Sequence, residues 1–198
     1  MLSPWQRFQK RALDLSLSLL LLPIALPLIL IGWIAAAWET KENGFYSQIR
    51  IGKRGKPFKL LKIKTMKSHK GTTVTTACDP RITRSGRIMR RLKIDELPQL
   101  FNVIKGEMSL VGPRPDVPGF ADKLTGEDRI VLSVPPGITG PASLKYKDEE
   151  EILAKVENPE KYNQEVIWPD KVKINKEYVK NWSLKTDLII LLRTIKGS

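Results

Sequence analysis

The chain has 198 residues and a formal net charge of +13, with 34 lysines and arginines against 21 acidic residues. Its single cysteine, Cys78, and single histidine, His69, exclude an internal disulfide, a cysteine zinc site and a cluster of histidine ligands. We interpret His69 as a bystander in a polar loop, so acid–base chemistry would depend on carboxylates or lysine, and the basic excess predicts an anionic partner.

An uncharged, apolar segment occupies residues 15–38 and is long enough to cross a bilayer. Pro23 and Pro27 interrupt it, and a proline inside a helix breaks or kinks that helix. Basic residues lie on both sides of the segment, which places both ends on the cytoplasmic face by the positive-inside rule. We therefore predict a re-entrant helix–break–helix anchor within residues 1–40, which enters and leaves the membrane on the same face.

Three other interpretations of this segment stay open. They are a membrane-spanning helix with a proline kink, a cleaved signal peptide and a buried core helix. The apolar run exceeds the usual length of a signal-peptide core, which is about 7–15 residues. In any membrane arrangement, Trp5, Trp33 and Trp38 suit positions at the interface between lipid and water.

Residues 41–198 are polar and predict a small, mostly helical cytoplasmic domain of the α+β class with one short β-hairpin. Residues 44–52 and 58–66 are predicted as its two strands, because a turn rich in glycine separates them. Helices are predicted at residues 85–92, 95–104, 147–157, 170–182 and 184–195, and within residues 116–134. The last helix has an apolar face that suits either the core or the membrane interface.

Two adjacent carboxylates, Asp95 and Glu96, stand at the start of a predicted helix. Asp95 suits the N-cap position, and a helix N-terminus favours ionised carboxylates and bound phosphate alike. Adjacent helical residues face different directions, so the two side chains could serve different species at one site. A hard ion such as Mg2+ takes one or two carboxylates plus phosphate oxygens, and a carboxylate can attack phosphorus. The alternative is that Asp95 is only a cap and Glu96 only a partner of the helix dipole.

Two arginines extend this pattern towards phosphate binding. Arg114 lies between Pro113 and Pro115, which restrict the backbone, and a guanidinium held in this way can bind phosphate bidentately. Arg90 lies five residues before Asp95, on the preceding predicted helix. The alternative role for Arg90 is that of an exposed surface charge.

The stretch at residues 85–115 closely resembles the monotopic phosphoglycosyl transferases, bacterial enzymes that start lipid-linked glycan assembly. It contains Ile94-Asp95-Glu96-Leu97-Pro98-Gln99-Leu100 and Gly112-Pro113-Arg114-Pro115. Weaker matches extend over nearly the whole chain, namely Lys10-Arg11 with Asp14, residues 62–66, residues 136–140, and residues 181–184 with Asp187-Leu188. Two departures are Leu22, where many members have serine before the anchor proline, and the segment 141–157, whose role the sequence leaves open.

The resemblance implies a ping-pong reaction through an aspartyl intermediate. Asp95 would attack the β-phosphate of a UDP-sugar and release UMP, and polyprenyl phosphate would then accept the phosphosugar. Glu96 would assist as a general base or metal partner, and Mg2+ would be held by Asp95 and Glu96. Arg114, Arg90 and Lys62 would bind substrate phosphate. The resemblance also implies the cytoplasmic face of the bacterial inner membrane and a role in glycan production such as exopolysaccharide synthesis.

Two other functions are weighed against this one. A non-catalytic basic module that binds a membrane surface or nucleic acid would explain the charge, but not the acid pair near Arg114. A phosphohydrolase would share the site without needing a polyprenol. We favour the transferase and do not expect nucleic acid as a partner. The sequence identifies neither the sugar nor the glycan pathway, and it leaves a homo-oligomer open.

Overall fold

The computed structural model of the chain describes residues 2–68 and 79–197. The α-helices are α1 (Pro4–Thr40), α2 (Arg84–Arg91), α3 (Gln99–Lys105), α4 (Pro141–Lys145), α5 (Glu149–Leu153), α6 (Pro159–Tyr162), α7 (Trp168–Lys180) and α8 (Leu184–Lys196). The strands are β1 (Phe45–Ile51), β2 (Pro57–Ile63), β3 (Ser109–Val111) and β4 (Gly137–Thr139). His69 and Cys78 lie outside the described residues, so the interpretation of His69 as a bystander stays a prediction.

Helix α1 is one helical element that contains both Pro23 and Pro27. By length and composition it could cross a membrane, with a mean hydropathy of 2.5 over an 18-residue window. The structure does not show the predicted break that would divide α1 into two helices. A proline removes one helical hydrogen-bond donor, and this loss can bend a helix without ending it.

One face of α1 packs against the rest of the molecule along the length of the helix. Its buried positions are Lys10, Asp14, Ser18, Ala25, Ile29, Gly32, Ala36 and Thr40. These positions recur every three, four or seven residues, which is the spacing of one helical face. Only 22% of the apolar window is buried, so α1 leaves most of its leucines and isoleucines on the surface, unlike a core helix.

Strands β1 and β2 form the predicted antiparallel hairpin, in which Tyr46 stands opposite Lys62. Strands β3 and β4 form a separate parallel pair, in which Val111 is paired with Thr139. The sequence analysis missed this second pair because strands of three residues are too short to show an alternating pattern. Helices with two small sheets confirm the prediction of a mostly helical α+β domain.

The predicted N-cap at Asp95 is wrong. Asp95 lies in a 3-10 turn, Ile94–Glu96, and α3 begins only at Gln99. Lys93 adopts a left-handed conformation with φ of 57°, which turns the chain just before the carboxylate pair. The Asp-Glu pair therefore lies in a separate turn before α3 and does not form its first turn.

The helix predicted within residues 116–134 is also wrong. Two 3-10 segments, Ala121–Lys123 and Gly126–Ser133, take its place. Gly126 has φ of 56°, a left-handed conformation that an α-helix cannot contain. The other predicted helices are present with shifted ends, and the helix predicted at 147–157 shortens to α5.

The main core lies between α1, α3, β3, α7 and α8. Its buried members include Leu60, Leu100, Val103, Met108, Leu110, Val111, Tyr178, Val179, Trp182 and Ile190. Helix α8 packs on this core through Asp187 and Ile190, one of the two arrangements that the sequence allowed. Leu192 and Ile195 of the same helix are exposed, so α8 also presents apolar surface to its surroundings.

Candidate active site

The turn Ile94–Glu96 holds its two carboxylates in different surroundings. Asp95 is only 7% exposed, and its Oδ1 atom has no hydrogen-bond partner among the described residues. Glu96 accepts hydrogen bonds from two cationic side chains. One carboxylate is therefore paired, while the other keeps a buried oxygen that can bind a ligand or react.

Glu96 lies between a lysine and an arginine from different parts of the chain. Its Oε1 atom is 2.8 Å from Nζ of Lys62, on β2, and 3.2 Å from Nη2 of Arg114, in the loop after β3. Burial alone would raise the pKa of Glu96, but the charges of Arg114 and Lys62 outweigh burial and lower that pKa to about 2. Glu96 therefore stays ionised and holds the hairpin and the loop together.

Asp95 has the opposite electrostatic behaviour. Burial raises its pKa, and the charge of Glu96 adds to this effect while Lys62 opposes it. A buried carboxylate with a raised pKa, one oxygen of which has no hydrogen-bond partner among the described residues, has the features of a reactive group. Because Asp95 lies in the turn Ile94–Glu96 and not at the start of α3, the alternative of a simple helix cap does not hold, and a chemical role for Asp95 stays a prediction.

The loop that carries Arg114 is fixed by the close approach of two backbones. The amide of Gly137 donates to the carbonyl of Pro113 at 2.8 Å, and the amide of Gly112 donates to the carbonyl of Thr139 at 2.8 Å. A Cβ atom on Gly137 would lie 2.1 Å from the nitrogen of Gly112, a distance that no side chain permits. The segment with Gly112 and the segment with Gly137 therefore pack as one unit that positions Arg114.

Arg90 is the one predicted phosphate-binding residue that does not join Glu96. It lies on α2, where its Nε donates to Oγ1 of Thr65 at 3.0 Å and its Nη2 contacts Sδ of Met66 at 3.1 Å. Its positive charge acts to lower the pKa of Asp95. The structure thus brings Lys62 and Arg114 onto Glu96 and places Arg90 within electrostatic range of Asp95.

A pocket opens between the hairpin and the Arg114 loop. It is lined by Arg50, Leu60, Lys62, Gln99, Arg114, Pro115, Gly137 and Ile138. Three cations in one pocket suit an anion such as phosphate. Arg50 and Gln99 were not predicted from the sequence as lining residues. Arg50 is one of many basic residues in its segment, and its contact with Pro115 joins positions 65 residues apart.

Helix α1 is tied to the strand that leads into this loop. Nζ of Lys10 donates to the carbonyl of Val111 at 2.7 Å, and Oδ1 of Asp14 accepts from the amide of Leu110 at 2.9 Å. Both side chains are buried. The first turns of α1 therefore fix the end of β3, three residues before Arg114.

Asp95 fits a hard divalent cation better than Glu96 does. Its buried Oδ1 has no partner within the part of the chain that the structure describes, whereas Oε1 of Glu96 already accepts from two cations. Within residues 2–68 and 79–197, no three His, Cys, Asp or Glu side chains are grouped to hold a metal ion. Mg2+ does not require such a group, because it commonly binds one or two carboxylates and completes its shell with substrate phosphate and water.

Comparison with known proteins gives a family for this fold and site. The family described as bacterial sugar transferase matches residues 5–198. A Bacillus subtilis (strain 168) protein, provisionally named as an undecaprenyl-phosphate N-acetylgalactosaminyl 1-phosphate transferase, is 48% identical over 60% of this chain and 68% of its own. The uncharacterized sugar transferase EpsL of the same organism is 35% identical over 94% of this chain and 85% of its own. The UDP-glucose:undecaprenyl-phosphate glucose-1-phosphate transferase of Caulobacter vibrioides is 36% identical over 94% of this chain and 68% of its own.

The chain belongs to the bacterial sugar transferase family. It is a transferase enzyme, which confirms the resemblance found in its motifs and argues against a non-catalytic binding module. The match runs through α1, the turn with Asp95 and Glu96, and the loop with Arg114, so α1 and the candidate site belong to the same family pattern.

Proposed function

We propose that this protein transfers a sugar 1-phosphate from a UDP-sugar to a polyprenyl phosphate such as undecaprenyl phosphate, with release of UMP. The observation that carries the proposal is the buried Oδ1 of Asp95, which has no partner among residues 2–68 and 79–197, next to a glutamate that holds Lys62 and Arg114. The relative from Caulobacter vibrioides is named for a reaction of this class. A relative from Sinorhizobium fredii is named an exopolysaccharide production protein, which supports a role at the start of glycan assembly.

In the first step, a carboxylate oxygen of Asp95 attacks the β-phosphorus of the donor. The bond between that phosphorus and the bridging oxygen breaks, and UMP leaves with the bonding electron pair. The sugar phosphate stays on the enzyme as an aspartyl phosphosugar. Lys62 and Arg114, held in place by Glu96, bind the non-bridging oxygens and stabilise the negative charge of the transition state.

In the second step, a phosphate oxygen of the polyprenyl phosphate attacks the same phosphorus. The bond to Asp95 breaks, the carboxylate is regenerated, and the product is a polyprenyl diphosphosugar. Donor and acceptor each present phosphate to the same cations in turn. One site therefore serves both halves of a ping-pong reaction, and no second nucleophile is needed.

The carboxylates and Arg90 have separate tasks in this scheme. A carboxylate with a pKa of about 2 is a weak base at neutral pH, so Glu96 acts mainly by holding the two cations. Mg2+ would bind Asp95, with Glu96 as the second carboxylate of the site, and would neutralise charge on the phosphate oxygens. Arg90 adds positive charge near Asp95 and favours its ionised, nucleophilic form.

We also propose that α1 is re-entrant and bends at Pro23 and Pro27, with the catalytic domain on the cytoplasmic face of the membrane. Lys10, before the apolar segment, contacts the carbonyl of Val111, and Ala36, at its other end, is fully buried against the same body. A helix that crossed the bilayer would carry these two residues to opposite sides. Contacts from both ends to one body, together with basic residues at both ends, support a single face.

Cysteine labelling tests this arrangement. A cysteine is placed before Met1 in a variant with Cys78→Ser, and intact cells are treated with a membrane-impermeant maleimide. We expect no labelling until the cells are lysed, as for a control cysteine at the exposed Ser47 in the catalytic domain. Labelling of the N-terminal cysteine alone in intact cells would show a helix that crosses the membrane.

The proposed reaction is tested by UMP release from a panel of UDP-sugars with Mg2+ and polyprenyl phosphate. Wild type is compared with Asp95→Asn and with Glu177→Gln, which removes a carboxylate on α7, away from the pocket. We expect release by wild type and by Glu177→Gln, and none by Asp95→Asn. Equal release by all three proteins would contradict the role of Asp95. Release of inorganic phosphate or free sugar phosphate without acceptor would indicate the phosphohydrolase instead.

A further inference from the structure

We propose that Arg50 is a substrate-binding residue that contacts the donor phosphate which leaves as UMP. This inference rests on the proposed function and adds a residue outside the acid pair and its two cations. Arg50 is the penultimate residue of β1 and lines the same pocket as Lys62 and Arg114. Three positively charged side chains thus line one pocket, and two of them, Lys62 and Arg114, also bind Glu96.

The guanidinium of Arg50 is held in a fixed orientation by neutral acceptors. Its Nε and Nη2 donate to Oε1 of Gln48 at 3.1 and 2.7 Å, and its Nη1 donates to the carbonyl of Pro115 at 3.1 Å. A guanidinium carries five N–H groups, so two remain for a ligand. Among the residues that the structure describes, no carboxylate forms an ion pair with Arg50. Arg50 is therefore an oriented cation without a direct counter-charge.

The surroundings of Arg50 disfavour its positive charge. Burial lowers the pKa of Arg50, and the positive charge of Arg114 lowers it further. The carboxylates of Asp116 and Glu96 offset only part of this effect. Two arginines that line one pocket and repel each other are stabilised when an anion binds in that pocket. A diphosphate carries negative charge on two adjacent phosphorus centres and so matches a pair of cations.

The three cations differ in whether they bind Glu96, and this difference indicates which of the two donor phosphates each cation contacts. Lys62 and Arg114 both bind Glu96, the residue next to the nucleophile, so they suit the phosphate that is attacked. Arg50 makes no bond to Glu96 and is instead held by Gln48 and Pro115. It suits the second phosphate, on which negative charge develops as UMP leaves, and a preorganised cation there stabilises the transition state.

The bond from Arg50 to Pro115 suggests a competing role, in which Arg50 acts only by positioning the Arg114 loop. The two roles predict different effects on the two half-reactions. UMP has already left when the polyprenyl phosphate attacks, so a residue that binds only the leaving phosphate is not needed in that step. A residue that positions Arg114 is needed in both steps.

The test measures the Kd of UMP for the resting enzyme by calorimetry. We compare wild type, Arg50→Gln, Arg50→Lys and, as a matched control, Lys56→Gln, which removes an exposed cation from the hairpin turn. We expect Arg50→Gln to weaken UMP binding at least tenfold, Arg50→Lys to give an intermediate Kd, and Lys56→Gln to stay within twofold of wild type. Thermal unfolding of each protein checks folding, and Arg50→Lys carries the test if Arg50→Gln does not fold.

Three results would overturn the inference. The first is an unchanged UMP Kd in Arg50→Gln, and the second is no binding of millimolar UMP by wild type. The third is a transfer step, from loaded enzyme to polyprenyl phosphate, that slows as much as UMP binding weakens, which would make Arg50 a positioning residue. Donor turnover by wild type, measured on the same preparation, reports separately on the proposed function.

Discussion

Nζ of Lys10 lies 2.7 Å from Oδ2 of Asp187, and the side chains of both residues are at least 96% buried. This ion pair joins the first turns of α1 to the first turn of α8. The same ammonium group donates to the carbonyl of Val111, so three separate parts of the chain meet at one lysine. Helix α1 and the loop that carries Arg114 are thereby held in one relative position.

Removal of Lys10 should destabilise the whole domain. In Lys10→Met, Asp187 keeps the hydroxyl of Tyr178 and the indole of Trp182 but loses its counter-charge. Breaking one side of a buried ion pair costs about 3 kcal/mol or more, which for a chain of this size lowers the thermal midpoint by about 10 °C. Thermal unfolding in detergent micelles measures this shift of the midpoint, and Arg7→Met, at an exposed position, is the control.

A double variant tests whether Lys10 and Asp187 interact directly. The loss of stability in Lys10→Met/Asp187→Leu should be smaller than the sum of the losses in the two single variants, and strict additivity would contradict a direct pair.

Asp95→Asn should abolish activity while raising stability at neutral pH. Because burial raises the pKa of Asp95 above its ordinary value of 3.8, ionisation of Asp95 costs free energy in the folded state. At neutral pH the amide removes this cost, so the unfolding midpoint should rise, while donor turnover falls by about 1000-fold or more. The stability difference should vanish as the pH falls below about 3.8, where the carboxyl is protonated in both states. A lower midpoint for Asp95→Asn at pH 7 would contradict this account.

Glu96→Gln should have the opposite effect on stability. The pKa of Glu96 is about 2 against an ordinary 4.5, so its stabilising contribution is complete above pH 4.5 and is lost as the pH falls towards 2. The difference corresponds to about 3 kcal/mol at pH 7. We expect a lower midpoint for the variant at pH 7 and a gap to wild type that narrows below pH 4.5. Turnover should fall about 100-fold, because Lys62 and Arg114 lose their common anchor.

Gly137→Ala should lower turnover although it changes none of the charged side chains of the pocket. The added methyl group would meet the nitrogen of Gly112 and the carbonyl oxygen of Thr139, so β3 and β4 must move apart and Arg114 must shift. We expect turnover to fall at least 10-fold, since small displacements of a catalytic group are costly. Ser47→Ala, at an exposed position of β1, serves as the control. Wild-type turnover in Gly137→Ala would show that this close approach does not position Arg114.

The chemistry of the site is predictable because it is local in sequence. Asp95 and Glu96 are adjacent, and two prolines flank Arg114, so residue type and spacing alone indicate phosphate chemistry. The details of the turn are not predictable in this way. Because Lys93 adopts a left-handed conformation, the chain turns before Asp95, and Asp95 does not lie at the start of α3. Neither composition nor periodicity predicts a left-handed backbone at a lysine.

Contacts between distant residues could not be predicted. The bond from Arg50 to Pro115 and the bond from Lys10 to Val111 join positions 65 and 101 residues apart, and each depends on how the whole domain packs. The pairing of β3 with β4 also joins distant parts of the chain, and it was missed for the same reason. The predicted bend at Pro23 and Pro27 depends on the bilayer as well as on the chain, so it stays a prediction.

The central claim, that Asp95 carries the phosphosugar, is tested most directly by isolating the intermediate. Enzyme is incubated with its UDP-sugar and Mg2+ without acceptor, quenched and digested, and the peptide that contains Asp95 is weighed by mass spectrometry. We predict an added phosphosugar on Asp95, up to one equivalent of UMP released per enzyme, and loss of the adduct when polyprenyl phosphate is added. UMP release that requires the acceptor, with no adduct on the peptide, would show direct transfer and contradict the account.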